Sequence, residues 1–94
     1  MSDSTGYMKT DQGITQAELQ QALHYDPLTG VFTNRKTGRQ LATKAGRYGR
    51  TQISIGRTAR YAARLAWLYV YGEWPQGQVD HINGDHTDHR ITNL

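Results

Sequence analysis

An α+β fold, built as a small three-stranded antiparallel sheet packed on a helix, is what this sequence predicts. Three observations carry that expectation. Residues 51–55 alternate in polarity, residues 62–71 form an apolar stretch with no helix breaker, and Gly- or Pro-bearing turns separate several short β-prone runs. With 94 residues the chain forms one small domain, or two sub-domains sharing a modest core. Hydrophobic residues make up only 36% and mean hydropathy is −0.76, so the core is thin and support from a metal, a partner or a second copy is expected.

The elements follow in order. Residues 1–13 are polar and predict a flexible tail. Thr15 and Glu18 form a capping box, and Leu19, Ala22 and Leu23 recur at helical spacing, which predicts a short helix over about 16–24. Asp26-Pro-Leu-Thr-Gly30 reads as a turn, and 31–33 as a brief strand. Residues 35–49 have no periodicity and predict a loop or a hairpin limb. In 51–55, Ile53 and Ile55 share one face, with Gln52 and Ser54 opposite. Gly56-Arg57 closes a turn into a returning strand over 58–61. The helix over 62–71 is the core element, with Leu65, Trp67, Leu68 and Tyr71 supplying most of the burial, and Gly72 stops it. Residues 79–82 predict one more short strand, followed by an Asn83-Gly84 turn.

Charge is distributed more tellingly than its net value of +3. No Asp or Glu occurs from Pro27 to Gly72, yet that stretch holds nine of the eleven basic residues, seven of them Arg. An acid-free basic block of this length suits a polyanion, because each cation placed on a phosphate releases condensed counterions. Guanidinium groups also bind phosphates and guanine edges bidentately. The alternative is a solvated positive face with no partner. The candidate DNA-binding residues are Arg35, Lys36, Arg39, Lys44, Arg47, Tyr48, Arg50, Gln52, Ser54, Arg57 and Arg60. Tyr48, alone among arginines, is the candidate stacking aromatic.

The last fifteen residues hold Asp80, Asp85 and Asp88, His81, His86 and His89, and Asn93. Carboxylates and imidazoles this close suit a divalent cation, although a surface loop can collect them without one. The absence of cysteine removes disulfides and thiolate zinc sites. No apolar run approaches the roughly 18 residues of a membrane span, so no membrane partner is expected.

Gly72-Glu-Trp-Pro-Gln-Gly-Gln-Val-Asp-His-Ile-Asn-Gly-Asp85, with Asp88-His-Arg-Ile-Thr-Asn-Leu94, resembles the HNH homing-endonuclease family found in phages. The earlier Tyr25-Asp-Pro-Leu-Thr-Gly-Val-Phe32 and Arg64-Leu-Ala-Trp-Leu-Tyr-Val-Tyr-Gly72 resemble its usual lead-in, so the similarity spans about residues 15–94. The resemblance implies a ββα-metal motif that hydrolyses double-stranded DNA with Mg²⁺ or Mn²⁺. It implies Asp80 as a metal ligand and His81 as the general base that takes a proton from the attacking water. It implies Asn93 as the residue that orients the histidine and ties down the loop. An imidazole that titrates near neutral pH suits the base's task, and a metal stabilises charge on the phosphate.

Two departures from the family pattern shape the expectation. The family's motif continues past Asn-Leu into a second strand and a helix that brings another ligand, whereas this sequence ends at Leu94, so the motif is read as incomplete and cleavage as impaired. Relatives commonly carry His where Ala63 stands. His86 and His89 are candidate replacement ligands. The middle region resembles, more weakly, the three-stranded DNA-binding domains of plant ethylene-response-factor type, with 32–33, 52–55 and 58–61 as the sheet.

The division expected is a tail over 1–13, a DNA-binding region over 14–72 and a partial HNH motif over 73–94. The alternative function is a non-catalytic, phage-derived binding module or inhibitor acting on a host nucleic-acid or defence complex. A homodimer and a cytoplasmic location, the host's if the gene is phage-borne, complete the expectations.

Overall fold

The computed structural model describes residues 13–42, 51–56 and 58–94. The predicted tail, apart from Gly13, and Lys44, Arg47, Tyr48, Arg50 and Arg57 lie outside the described residues. The fold is α+β, as the sequence predicts, with a small three-stranded antiparallel sheet, two helices and a second sheet of two strands. No helix among the described residues is long and apolar enough to cross a membrane.

Helix α1 (Gln16–Ala22) begins at the predicted capping box. Thr15 Oγ1 accepts the Glu18 amide at 3.1 Å, and Glu18 Oε1 accepts the Thr15 amide at 2.9 Å. The helix ends two residues earlier than its spacing suggests, because Leu23–Tyr25 turn extended and form strand β1. Leu23 and Tyr25 face inward and His24 outward. Strand β1 pairs antiparallel with β2 (Phe32–Asn34), opposing Tyr25 to Phe32, and β2 pairs with β3 (Gln40–Leu41). The three-stranded sheet is therefore β1-β2-β3. Its membership differs from the expected one, since β4 (Gln52–Ile55) and β5 (Thr58–Tyr61) form a separate hairpin.

The β2–β3 turn is organised by Asn34, whose Oδ1 accepts the amides of Lys36 and Thr37 at 2.8 and 3.0 Å. Helix α2 (Ala62–Tyr71) follows β5 directly and stops at Gly72, which takes φ +79° and donates its amide to Leu68. Gln16 and Gln20 of α1 both donate to the Tyr69 carbonyl, at 2.9 and 3.2 Å, and so tie the two helices together.

The core gathers Leu19, Leu23, Tyr25, Phe32, Ile53, Leu65, Ala66 and Leu68 between the helices and the sheets. Each of its large apolar side chains contributes about 1.5–3 kcal/mol on burial. Leu65 and Leu68 bury as predicted. Trp67 is half-buried and Tyr71 is exposed, their rings meeting each other at 4.6 Å on the outer side of α2. Residues 79–82 form no strand, although Val79 is buried.

Candidate active site

Past Gly72 the chain runs without regular structure to Asp80. Arg64 braces this stretch from the first turn of α2: its Nη1 donates to the Gly77 carbonyl at 2.6 Å, and its guanidinium lies 5.8 Å from the Trp74 ring centre. Val79 anchors the stretch in the core, and Asp80 and His81 come next. Asp80 is exposed, and its carboxylate forms no ion pair with any described residue.

Residues 82–93 form a closed loop, and Asn93 closes it. The Asn93 carbonyl accepts the Ile82 amide at 2.8 Å, and its Oδ1 accepts the Asn83 amide at 3.0 Å. Its Nδ2 donates to Asn83 Oδ1 at 3.1 Å and to the Asp88 carbonyl at 3.0 Å. A buried carboxamide with both ends satisfied fixes the distance between the two ends of a loop, because breaking one bond strands the other partners. Asn93 is presented by a 3-10 turn over Ile91–Asn93.

Asp85 and Asp88 serve this loop internally. Asp85 Oδ1 accepts the Thr87 hydroxyl at 2.6 Å and its amide at 2.9 Å, and these bonds hold the Asp85 carboxyl below its usual range. Asp88 takes two bonds from the Arg90 guanidinium, at 2.7 and 2.9 Å, and one from Asn83 Nδ2 at 2.8 Å. The Arg90 bonds hold its carboxyl well below the carboxylate range, and Asp88 in turn raises the Arg90 guanidinium. Asp88 is engaged through both oxygens and Asp85 through Oδ1, which leaves Asp80 as the carboxylate of the segment least committed to the loop.

The three histidines cluster. His81 Nε2 lies 3.1 Å from His89 Nδ1, and the His81 ring stacks on His86 with centres 5.3 Å apart and planes at 18°. His89 is almost completely buried and meets the edge of Phe32. Burial, then the neighbouring His81, push its pKa down to about 4, against the weaker pull of Asp88 and Asp85. His89 is therefore neutral at pH 7, and the hydrogen it shares with His81 decides which His81 nitrogen keeps a lone pair. His86 Nδ1 and His89 Nε2 are buried with no hydrogen-bond partner. No three His, Asp or Glu side chains among the described residues converge on a point that would hold a metal ion.

Because the His89 pKa is lower folded than unfolded, the unfolded chain binds the extra proton more readily. The stability this histidine contributes is present above about pH 6.5 and is lost as pH falls toward about 4, roughly 3 kcal/mol in all. Urea midpoints measured from pH 7.5 down to pH 4.5 are expected to fall steeply, and the fall is expected to shrink in His89→Gln.

Far upstream residues set the height of this loop. The buried Tyr25 hydroxyl donates to the His89 carbonyl, and burial pushes its phenol pKa up. The Pro27 carbonyl accepts the Ile91 amide at 3.0 Å. Gly30 lies flat against the backbone of His89 and Arg90, where an added Cβ would fall 2.5 Å from the His89 carbonyl carbon. Thr51 Oγ1 donates to the His86 carbonyl at 2.8 Å. The turn over 26–30, which the sequence shows only as a turn, is thus a cradle for the histidine loop.

The expected DNA-binding residues divide. Gln52 and Ser54 are exposed on one face of the β4–β5 hairpin, opposite Tyr61 and Ala59. Arg60, also a DNA-binding candidate, does not share their face. It pairs across from Ile53 on the inner face, is buried, and donates to the Ile55 and Thr58 carbonyls at 3.2 Å. Arg35 is held at the end of α1, its Nε donating to the Gln20 and Leu23 carbonyls at 2.6 and 3.0 Å. Lys36 and Arg39 lie in the exposed β2–β3 turn.

Residues 60–94 match the family model described as HNH endonuclease. The matched stretch takes in the end of β5, α2 and the whole loop closed by Asn93. No curated protein and no solved structure matches the chain.

Proposed function

Residues 60–94 match the HNH endonuclease family model, and from that match we propose that the chain is an HNH-family protein that binds double-stranded DNA and hydrolyses its phosphodiester bonds at Asp80 and His81. HNH nucleases act on DNA and generally depend on a divalent metal. One observation carries the reading to these residues: the loop that Asn93 closes joins directly to an adjacent carboxylate and imidazole, and of the segment's carboxylates Asp80 is the least committed to the loop.

His81 would take the proton of the attacking water. Donation from His81 Nε2 to the neutral His89 leaves the lone pair of His81 on Nδ1; that atom is buried in this structure, so the ring must turn before Nδ1 can meet the attacking water. His89 is then a positioning residue that sets the tautomer, and His86 stacks on the His81 ring. Asp80 fits Mg²⁺ or Mn²⁺, since such ions use one or two carboxylates and complete their coordination with water and substrate phosphate. That metal would neutralise charge on the phosphate and leaving oxygen. Residues 14–72 would supply the DNA grip through Gln52, Ser54, Lys36 and Arg39, together with Lys44, Arg47, Tyr48, Arg50 and Arg57.

A second reading, a binding module without chemistry, has its own support. No three ligand side chains converge among the described residues, and the opposite direction of the shared hydrogen would occupy the Nε2 lone pair of His81. The two readings share one expectation. A 30-base-pair duplex is expected to be bound at low salt, with affinity falling linearly on a log–log plot against salt. Fluorescence anisotropy across a salt series checks this, and no binding at the lowest salt would overturn both.

A further inference from the structure

A cavity lies beside the loop that carries Asp80 and His81. It has a volume of about 430 Å³, within the range of about 300–1,000 Å³ typical of small-ligand sites, and it opens between the exposed face of the β4–β5 hairpin, the first turn of α2 and residues 78–79. Gln52 and Tyr61, directly opposed across the hairpin, form one wall. Ala63 and Arg64 form a second, and Gln78 and Val79 a third.

We propose that this cavity receives one unstacked base of the DNA strand that runs on to Asp80 and His81, with Tyr61 stacking on the base and Gln52 and Gln78 reading its edge. The inference rests on the DNA reading given above and names a subsite for it. Three observations support a base over a phosphate. The two carboxamides each offer a donor and an acceptor, which matches a base edge, whereas a phosphate needs donors only. Tyr61, 39% exposed as a residue, lines the cavity, and base-on-aromatic stacking contributes about 1–3 kcal/mol. Arg64 is already committed to the Gly77 carbonyl and the Trp74 ring, so it supplies positive potential from a fixed place.

Charge and position complete the case. No carboxylate lines the cavity, and the hairpin and α2 lie within the acid-free stretch from Pro27 to Gly72, so a polyanionic strand is favoured there. Gln78 and Val79 lead straight into Asp80. A strand with a base seated between Gln52 and Gln78 would have its next phosphates near the proposed scissile position. Ala63 keeps the cavity open, since a larger side chain there would project into it.

The test uses the full chain and a duplex carrying 5-iododeoxyuridine in place of thymidine, with a single-stranded overhang on one side. After irradiation and digestion, mass spectrometry is expected to find the base joined to the peptide that contains Tyr61. The double variant Gln52→Ala, Gln78→Ala changes two exposed residues and is expected to bind the same DNA about tenfold more weakly or worse, with an unchanged salt slope. A wild-type protein that binds DNA but crosslinks elsewhere overturns this subsite and leaves the DNA reading intact. So does a double variant with wild-type affinity, or one whose salt slope becomes shallower. A wild-type protein that binds no DNA at low salt overturns both.

Discussion

His81→Ala is expected to lower metal-dependent nicking of supercoiled DNA by about 100- to 10,000-fold, the range for a removed general acid or base, with DNA affinity held at the wild-type level. The size of the effect follows from the crowding around this ring. Asp85 and Asp88 are held ionised by hydrogen bonds and spent on the loop, and His89 is buried behind His81. None of these three stands ready to take the proton in its place. His89→Ala is a distinct case, because it leaves the base present and removes only the partner that sets its tautomer. Its loss is expected to be smaller and to appear in kcat with KM unchanged. Anisotropy and nicking read on the same samples separate the two, and a His81→Ala protein with wild-type nicking would remove His81 from the reaction.

Gly30→Ala is the second large effect, and it acts more than fifty residues away along the chain. Gly30 takes φ +77°, where an L side chain is strained by about 1–2 kcal/mol. The new Cβ would also overlap the backbone of His89, and lie still closer to the Arg90 amide nitrogen, and backbone atoms cannot swing aside. The turn must then part from the histidine loop, which breaks the Tyr25 bond to His89 and the Ile91 bond to Pro27. Overpacking of this kind adds about 1–3 kcal/mol, so roughly 3 kcal/mol of stability is expected to go. Urea unfolding checks the loss. Nicking by whatever fraction remains folded is expected to fall as well, since His89 moves with its carbonyl. A midpoint equal to wild type would show that the turn does not cradle the loop.

How much of this the sequence discloses depends on the range of the interaction. Local chemistry is legible. The Thr15–Glu18 box, the stop at Gly72 and the alternation of Ile53 with Gln52 and Ser54 each need only neighbours in the chain. Asn93 is singled out in the sequence only through the family resemblance; its bonds run to Ile82, Asn83 and Asp88 within the loop. Strands β1 and β3, of three and two residues, are too short to show a period, and Leu23 continues the helical spacing of Leu19 well enough for residues 23 and 24 to be read with α1. The cradle is invisible for another reason: Tyr25, Pro27 and Gly30 look like ordinary turn residues until the chain returns to them after residue 88.

Arg60 differs, because its burial is available in the sequence to anyone who counts across the hairpin. The hairpin register opposes Ile55 to Thr58, Ser54 to Ala59 and Ile53 to Arg60. The partner of a buried isoleucine shares its face, so Arg60 points inward by parity alone. The same count places Tyr61 beside Gln52 on the outer face, the pair that walls the cavity. The identity of the histidine cluster could be anticipated from composition, but not its geometry, since a loop of polar residues has no period from which to infer which rings meet.

The most direct test of the account is a nicking assay on supercoiled plasmid with the full chain, run with Mg²⁺, with Mn²⁺ and with EDTA, binding being read in parallel. Open-circle product is expected with either metal and none with EDTA, from plasmid that is bound in every lane. Plasmid that is bound and stays supercoiled with both metals would contradict the assignment of hydrolysis to Asp80 and His81 and leave the binding module as the function of this chain.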